Sequence, residues 1–371
     1  MMSARFLTVV LERAFNMRDG FGREIDYMRI SVIDSCNLNC YYCNPCDNNE
    51  HCHALNILSV KEVLCIVRAA KRLGIKHFRL TGGEPLLHPQ LDEMVLQIKK
   101  IPGVSSVSLT TNAVLLAQHA KWLKEAGIDS INVSLDTIDA SEYERITKKP
   151  LLEEVKHGIN AAIECGIRVK INVVLTPQTD VVALTRYVAK KGTDIRFIEM
   201  MPVGEGHTNG VEPYKKVIGT LSKLYGEPCR INTEKTKEIN SGNDKRKIPD
   251  NGPAEYYIFP ELGIRVGLIQ AIHGKFCDTC NRIRVTADGR LMPCLGSSVT
   301  MDLVPDSWDF ADDVEKDFAI VRALRAAIKA KPRCHNFNDN AVTYTKTTET
   351  KTTEIEAAEV NAARNMSRIG G

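Results

Sequence analysis

Three cysteines near the start of the chain stand at a spacing that suits metal ligation. Cys36, Cys40 and Cys43 follow the pattern C-x3-C-x2-C, directly after a short apolar run. Three thiolates on one loop can ligate three irons of a 4Fe–4S cluster, and the fourth iron then stays open for a further ligand. The spacing is therefore compatible with a cluster that binds a second molecule.

Zinc is the alternative metal for this loop. It normally takes four protein ligands, and Cys46, His51, Cys52 and His53 lie within ten residues of Cys43. The spacing alone leaves a cluster and zinc equally open.

A second set of three cysteines lies in the last third of the chain. Cys277, Cys280 and Cys294 follow the pattern C-x2-C-x13-C. A zinc ribbon would need a fourth ligand, which Cys334 or His335 could supply from a distance. The other interpretation is a second cluster whose open iron faces a substrate.

Two arginines follow the second cysteine pair. In the sequence Arg282-Ile283-Arg284, the alternation of a strand places both guanidinium groups on one face. A guanidinium matches the geometry of phosphate oxygens, so this face suits a polyanion. A solvated pair on an exposed strand is the alternative.

The composition is that of an ordinary globular chain. Its 371 residues (41.3 kDa) predict two or three modules. The charge balance of 49 − 46 = +3 is too small for binding to nucleic acid through a bulk basic surface. No apolar run approaches the ~18 residues of a membrane-spanning helix. Twelve cysteines in a chain of this length favour metal or redox chemistry over a disulfide framework, and we expect a cytoplasmic protein.

The elements that must position these residues show a regular pattern from residue 28 to 200. Short β-rich runs alternate with amphipathic helical stretches, which requires a parallel sheet covered by helices. The predicted strands are Met28–Ile33, His77–Leu80, Ser106–Leu109, Ser130–Leu135, Val169–Leu175 and Ile195–Ile198. A doubly wound sheet and a curled barrel both fit. We favour an open, partial six-unit (β/α) TIM-like barrel, because functional-looking residues follow the ends of several strands.

Helix signals support this alternation. Ser59 and Glu62 form a capping box that starts one helix, and Gly74 ends it. A second helix carries Trp122 on its predicted apolar stripe and ends at Gly127.

The chain is expected to divide into a core and a smaller C-terminal α+β module. A short helix is predicted near Tyr214–Leu224 and another at Asp312–Lys331. The Thr-rich run Thr343–Thr353 is expected to be exposed. The predicted divisions are 1–202 (core), 203–255 (linker and loops), 256–331 (auxiliary module) and 332–371 (C-terminal tail).

The first cysteine loop resembles the signature of the radical S-adenosylmethionine superfamily. Tyr42 stands at the aromatic position before the last cysteine, and Thr81-Gly82-Gly83-Glu84-Pro85 resembles the superfamily's GGEP motif at the end of the second strand. The resemblance implies a 4Fe–4S cluster whose open iron binds S-adenosylmethionine. With this resemblance, a 4Fe–4S cluster is favoured over zinc at this loop.

Within that superfamily, the chain resembles the GTP 3′,8-cyclase family of molybdenum cofactor biosynthesis over residues ~24–300 and at the extreme C-terminus. The features that carry this resemblance are both cysteine patterns, Arg282-x-Arg284 and the terminal Gly370-Gly371. It implies two 4Fe–4S clusters and formation of (8S)-3′,8-cyclo-7,8-dihydroguanosine 5′-triphosphate from GTP, after a 5′-deoxyadenosyl radical abstracts the 3′ hydrogen.

The resemblance also assigns roles residue by residue. The cluster ligands would be Cys36, Cys40 and Cys43 for the first cluster, and Cys277, Cys280 and Cys294 for the second. Contacts to S-adenosylmethionine would come from Tyr42, Gly83, Ser134 and Met201. Contacts to GTP would come from Arg29, Arg79, Thr110, Lys170, Arg282, Ile283 and Arg284. Residues assigned to catalysis would be Arg282, Arg284, Gly370 and Gly371.

The implied partners are GTP, an electron donor of the flavodoxin or ferredoxin type, and cyclic pyranopterin monophosphate synthase as the next enzyme. A homodimer is possible, and neither nucleic acid nor a membrane is expected as a partner. Two alternatives remain: a peptide-modifying radical enzyme with an auxiliary cluster, and a non-catalytic zinc-binding module.

Overall fold

The computed structural model describes residues 17–43, 56–203, 210–231, 252–297, 299–303, 313–335 and 337. Within these ranges the strands are β1 Tyr27–Ser31, β2 His77–Thr81, β3 Ser106–Thr111, β4 Ser130–Ser134, β5 Val169–Val174, β6 Asp194–Ile198, β7 Cys229–Arg230, β8 Glu255–Ile258, β9 Arg265–Ile269, β10 Arg282–Val285, β11 Arg290–Met292 and β12 Met301–Asp302. The α-helices are α1 Val60–Arg72, α2 Leu91–Lys99, α3 Leu116–Glu125, α4 Ala140–Thr147, α5 Leu152–Glu164, α6 Val181–Lys190, α7 Gly219–Tyr225 and α8 Asp313–Lys329.

All these strands join one sheet, in the order β12-β11-β10-β1-β2-β3-β4-β5-β6-β9-β8-β7. From β10 across to β9 every neighbouring pair is parallel. The outer pairs at both edges are antiparallel. The six strands predicted from the sequence are confirmed as the centre of the sheet, and two later strands extend the parallel array on both sides.

The sheet is curled. Neighbouring strands lie about 4.8 Å apart, so the seven steps from β10 to β9 would span roughly 34 Å in a flat sheet. Yet Arg284 on β10 and Ile269 on β9 line the same cavity. The predicted open, partial barrel is therefore the architecture of the chain, and a flat doubly wound sheet is not.

The two faces of the strands differ in polarity. Residues such as Met28, Ile30, Phe78 and Leu80 are buried between the sheet and its helices, where they form the hydrophobic core. The alternate residues point into the barrel and are mostly polar, such as Arg29 on β1. An interior lined by polar side chains indicates that the barrel is a binding site rather than a packed core.

The first predicted helix is confirmed in detail. Ser59 accepts a hydrogen bond from the backbone of Glu62, and the Glu62 carboxylate accepts one from the backbone of Ser59. Gly74 follows the end of α1 with φ +89°, a conformation that side chains with a Cβ rarely adopt. These residues fix where the helix begins and ends.

The placement of Trp122 on the apolar stripe was wrong. Its side chain is 61% exposed, whereas Leu116, Ala120 and Leu123 form the buried face of α3. The buried residues follow a spacing of four and three, and Trp122 lies off that face.

The C-terminal elements agree with the sequence. A π-helical turn at Tyr214–Ile218 leads into α7, and α8 covers most of the predicted helix Asp312–Lys331. Thr343–Thr353 lies outside the described residues. No helix within the described ranges is both long and apolar enough to cross a bilayer.

Candidate active site

The interior of the curled sheet holds a cavity of about 300 Å³. Its wall is built from the first cysteine loop, the carboxyl ends of several parallel strands, and the loops around β9, β10 and β11. All six cysteines of the two triplets line this cavity. The curled sheet therefore brings two sets of thiols, far apart in the sequence, to one cavity.

The two triplets lie at opposite ends of the strands. Cys36 follows the carboxyl end of β1, where parallel sheets usually place their sites. Cys280 precedes β10, whose first residue Arg282 is level with Tyr27 at the start of β1. Because β11 runs antiparallel to β10, Cys294 follows it at this same end. The five residues of β1, at about 3.3 Å each, separate the two ends by roughly 16 Å.

A row of arginines crosses the interior between the triplets. Arg284, Arg29 and Arg79 are aligned in register on β10, β1 and β2. Burial lowers the pKa of Arg29 well below its usual range, and repulsion from Arg284 and Arg79 lowers it further. Burial also lowers the pKa of Arg284, to about 10. The Nε of Arg29 has no hydrogen-bond partner among the described residues. The row is therefore a crowded set of cations, which suits an anionic ligand.

Tyr27 lies at the floor of this row. The guanidinium carbons of Arg79 and Arg282 lie 5.7 Å and 5.5 Å from the centre of its ring. Burial alone would raise the pKa of the Tyr27 phenol, but Arg79, Arg29 and Arg282 lower it overall. The phenol thus experiences the positive potential of the interior.

Further cations continue the layer on β5 and β6. Lys170 is buried, and Arg196 donates from Nη2 to Oδ1 of Asn132 at 2.6 Å. The Arg196 Nε lacks a partner in the described part of the chain. Arg265 forms an ion pair with Asp194. The inward-facing cations Arg29, Arg79, Lys170 and Arg196 make this layer suitable for a polyanion.

The first cysteine loop is held against α4. The backbone amides of Asn39 and Tyr41 donate to the last carbonyls of that helix at 3.0 Å and 3.1 Å. Loss of solvation raises the pKa of the Cys36 thiol to about 11. Burial also raises the pKa of Cys40, and Cys43 and Cys36 raise it further. Both other thiols thus lie near enough to Cys40 to influence it, and all three line the cavity.

The two glycines that follow β2 permit close contact with this loop. A Cβ on Gly83 would lie 2.1 Å from the carbonyl oxygen of Ser35, and one on Gly82 would lie 2.3 Å from that of Ile33. The Gly83 amide donates to Ile33 at 2.8 Å, and the Glu84 amide donates to Ser35 at 2.7 Å. Any side chain at these positions would separate the turn from the cysteine loop.

The Glu84 carboxylate anchors the same turn. It accepts hydrogen bonds from the Thr111 hydroxyl at 2.7 Å, the Asn112 amide at 2.7 Å and the Leu86 amide at 3.0 Å. Burial raises the pKa of Glu84 to about 7, although all three donors oppose this shift. Glu84 thus ties the glycine turn to the end of β3.

Tyr42 is oriented by a buried carboxylate. Its hydroxyl donates to Asp136 at 2.5 Å, and the other Asp136 oxygen accepts from the Val174 amide at 2.8 Å. Burial raises the pKa of Asp136 to about 6. Ser134 and Met201 line the cavity on the walls formed after β4 and β6.

The second triplet has a different electrostatic environment. Burial raises the pKa of the Cys277 thiol. Burial would do the same for Cys280, but Lys331 and Arg282 lower its pKa overall. Thiolate, the form that binds metal, is therefore favoured at Cys280.

Most of the residues proposed from the sequence meet at this cavity. Its wall includes the six cysteines and Tyr42, Gly83, Ser134, Met201, Arg29, Thr110, Arg282 and Arg284. Arg79 and Lys170 lie on inward-facing strand positions but are not part of the wall. Ile283 points away from the cavity and belongs to the hydrophobic core.

Several proposed residues lie outside the described residues: Gly370, Gly371, Cys46, His51, Cys52 and His53. His335, considered as a zinc ligand, hydrogen-bonds through Nε2 to the carbonyl of Ala271 at 2.7 Å.

Sequence reasoning missed some residues that shape the site. Glu84 was named only as part of the glycine motif, and Asp136 was assigned no role, although both are anchors. Arg196 was predicted to be in a strand, and the alternation from Asp194 could have shown that it points inward. Lys331 gave no signal, because its role depends on contacts across the fold.

Comparisons with known proteins agree with this geometry. Residues 30–183 match the Radical SAM superfamily, and residues 193–337 match the Molybdenum Cofactor Synthesis C family. The GTP 3′,8-cyclase of Clostridium perfringens (strain SM101 / Type A) is 35% identical over 324 residues, which are 86% of this chain and 95% of that protein. The GTP 3′,8-cyclase of Peptoclostridium acidaminophilum is 37% identical over 328 residues, which are 86% of this chain and 94% of that protein.

Among solved structures, Streptococcus suis SuiB bound to S-adenosylmethionine superposes with a TM-score of 0.52 at 16% identity, covering 86% of this chain and 69% of that one. SuiB bound to precursor peptide SuiA superposes with a TM-score of 0.53 at 14% identity, covering 87% of this chain and 70% of that one. These likenesses show the fold alone. The sequence matches decide the family: the chain belongs to the GTP 3′,8-cyclase family of the radical S-adenosylmethionine superfamily.

Proposed function

We propose that this protein is a GTP 3′,8-cyclase, which converts GTP to (8S)-3′,8-cyclo-7,8-dihydroguanosine 5′-triphosphate in the first step of molybdenum cofactor biosynthesis. The observation that carries the proposal is the cavity that two cysteine triplets line, with a row of arginines aligned on β10, β1 and β2 between them. Relatives named GTP 3′,8-cyclase, matched over most of their length, support it.

Membership of the superfamily implies a 4Fe–4S cluster and S-adenosylmethionine. Three neighbouring thiols that line one cavity fit a cluster with one open iron, since each would bind a separate iron. The described residues contain no three His, Cys, Asp or Glu side chains that converge on a single ion. Cys36, Cys40 and Cys43 would hold the cluster. When bound, cluster and cofactor supply a 5′-deoxyadenosyl radical by one-electron reductive cleavage.

The residues around the first triplet would hold S-adenosylmethionine. The close approach of Gly83 to the cysteine loop leaves its backbone exposed to the cavity, without a side chain between them. Tyr42 is fixed by Asp136, and Ser134 and Met201 line the remaining walls. Their work is to orient the cofactor toward the barrel interior.

The arginine row would bind the triphosphate. Arg284 and Arg79 both repel Arg29, and guanidinium groups form strong, directional hydrogen bonds to phosphate oxygens. Thr110 lines the cavity on β3 and would add a hydroxyl contact, and Lys170, at an inward-facing position of β5 behind the wall, would add positive charge. Catalysis would require that the nucleoside present its 3′ carbon to the first triplet and its base to the second, which line the same cavity.

The second triplet would hold a second 4Fe–4S cluster. Cys277, Cys280 and Cys294 supply three thiols to the same cavity, so that one iron would be left for the guanine. Arg282 and Arg284 flank this position and would orient the base. The roles of Ile283 and of the terminal Gly370-Gly371 stay predictions, as does the division of the chain into modules. The partners also stay predictions: a flavodoxin- or ferredoxin-like electron donor, cyclic pyranopterin monophosphate synthase as the next enzyme, and a second copy of the chain in a homodimer.

The test is a single anaerobic incubation of the reconstituted protein with S-adenosylmethionine, a reductant and GTP. We expect 5′-deoxyadenosine together with a cyclised nucleotide. Cys36→Ala should abolish both products, whereas Cys294→Ala should still cleave the cofactor but form no cyclised nucleotide. Cofactor cleavage by Cys36→Ala would contradict the first site, and cyclisation by Cys294→Ala would contradict the second.

The same preparation distinguishes the alternatives. A peptide-modifying enzyme would cleave the cofactor but gain no thermal stability from GTP. A zinc-binding module would be colourless and contain zinc, whereas the proposed enzyme should be brown, with iron and sulfide in near-equal amounts.

A further inference from the structure

The segment that follows α8, residues 331–335, packs directly on the second cysteine triplet. The backbone amide of His335 lies near the sulfur of Cys277, on which it has a pKa-lowering effect. The ammonium group of Lys331 lies near the sulfur of Cys280, whose pKa it lowers. One short stretch of chain therefore contacts two of the three thiols that would hold the second cluster.

Lys331 is the centre of this contact. Its side chain is only 4% exposed and lines the cavity. Nζ donates to the carbonyl of Arg282 at 2.9 Å and to that of Pro293 at 2.8 Å. Arg282 follows Cys280 by two residues, and Pro293 directly precedes Cys294. A single ammonium group thus ties the chain beside one cysteine to the chain beside another.

The rest of the segment is held independently of Lys331. Arg23 donates from Nη1 to the carbonyls of Cys277 and Arg333 at 2.7 Å and 2.9 Å, and from Nη2 to that of Pro332 at 2.6 Å. Asp19 holds the Arg23 guanidinium at 2.5 Å. Removal of the Lys331 charge therefore leaves the path of the segment fixed by other contacts.

Helix α8 is also secured without Lys331. Ile320, Leu324 and Ile328 are fully buried against the core. Arg72 on α1 pairs with Asp317 on α8 at 2.9 Å, on the outer side of the barrel. Substitution of Lys331 can therefore change the site without detaching the helix.

We propose that Lys331 is a positioning residue of the second cluster, which holds the Cys280 and Cys294 loops together and places a positive charge beside the Cys280 sulfur. The proposal rests on the proposed second cluster. Hydrogen bonds to the ligand sulfurs and nearby charge are the means by which a protein sets cluster potential and retention. Reduction adds a negative charge to the cluster, so a neighbouring ammonium group favours the reduced form.

The experiment uses the full-length chain with Cys36, Cys40 and Cys43 changed to Ala, so that only the second triplet can hold iron. In this background we compare Lys331→Met, Lys331→Arg and the control Arg72→Gln. Each reconstituted protein is analysed for iron and sulfide, for cluster loss to a chelator, and for reduction potential by titration monitored with electron paramagnetic resonance.

We expect Lys331→Met to retain the cluster roughly 10–100-fold less well, the usual effect of losing an outer-shell partner. Its potential should fall, by about 59 mV if the lost charge favours the reduced form tenfold. Lys331→Arg should restore most of the potential, because it keeps the charge, and Arg72→Gln should match the parent. We expect Lys331→Met to melt at the same temperature as the parent, which would show that the change is local.

The outcomes separate the two proposals. A parent that binds no 4Fe–4S cluster overturns the second cluster itself. A parent that binds one, while Lys331→Met matches it in retention and potential, overturns only the role of Lys331. Faster cluster loss with an unchanged potential, or no rescue by Lys331→Arg, also overturns that role, since it leaves only a packing effect.

Discussion

Replacement of Arg29 should make the ligand-free protein more stable and its complex with GTP weaker. Arg29 lies between Arg284 and Arg79 on adjacent strands, and repulsion from both lowers its pKa. Methionine keeps the length of the side chain but removes the charge and the Nε donor, which has no partner among the described residues. The two effects have opposite signs because the row of arginines is adapted to its ligand and not to the empty fold.

The size of the effect follows from Coulomb's law. At an effective dielectric constant of about 20, two unit charges ~5 Å apart repel by about 3 kcal/mol, and at ~10 Å by about half of that. Arg29 has two such neighbours, so Arg29→Met should gain roughly 3–6 kcal/mol before lost contacts are subtracted. At about 2 °C per kcal/mol for a large domain, the melting temperature should rise by several degrees. Loss of charged hydrogen bonds to phosphate, about 1.5–3 kcal/mol each, should weaken GTP binding roughly 10–100-fold.

The assay is anaerobic thermal unfolding of the reconstituted protein with and without GTP, in the absence of S-adenosylmethionine so that no turnover occurs. The wild type should be stabilised by GTP, by about 2.7 kcal/mol at 100 times its Kd. Arg68→Met, on the exposed face of α1, is the control and should leave both measurements unchanged. The reasoning is refuted if Arg29→Met melts below the wild type without ligand while GTP still stabilises it fully.

Two other predictions concern the cofactor side of the cavity. Gly83→Ala should abolish binding of S-adenosylmethionine, measured by calorimetry, because its Cβ would overlap a backbone oxygen; Gly219→Ala, in open space on α7, should bind normally. A Gly83→Ala variant with unchanged affinity would contradict the close approach. Burial raises the pKa of Asp136 to about 6, from an ordinary value of 3.8. Because the folded protein then holds this proton more tightly than the unfolded chain, the contribution of Asp136 to the free energy of unfolding falls as the pH rises from about 4 to 6. Urea unfolding should show this loss of ~3 kcal/mol in the wild type but not in Asp136→Asn. Parallel pH profiles of stability for the two proteins would rule out a raised pKa at Asp136.

The sequence predicted the fold best where local signals agree with the tertiary structure. The strands of the barrel and the ends of α1 depend on alternation, a capping box and Gly74, which act within a few residues. Trp122 shows where such reasoning fails, because three apolar residues in a short window do not decide which of them faces the core. The path of β9 and β10 to opposite edges of the sheet depends on pairing over long distances, and no local pattern indicates it.

The same distinction applies to the site. The cysteine triplets and Gly83 carry their chemistry in residue type and spacing, so the sequence could name them. Lys331 acts through carbonyl groups and a sulfur that lie almost 40 residues or more away in the chain. A lysine near the end of a helix has no distinguishing signal until the fold shows what it contacts.

The topology itself explains why the two triplets face each other through the barrel. Strand β9 pairs with β6 at one edge of the parallel array and ends where the parallel strands have their carboxyl ends. Strand β10 pairs with β1 at the other edge and begins at the amino ends of the strands. The chain between them, residues 270–281, must therefore cross the open seam from one end of the barrel to the other, and it carries Cys277 and Cys280. Because β11 turns back beside β10, it delivers Cys294 to the same place. A closed eight-stranded barrel would leave no seam for this loop. The opening in the sheet is thus the structural condition for a second cysteine triplet about one strand length from the first, with the arginine row between them.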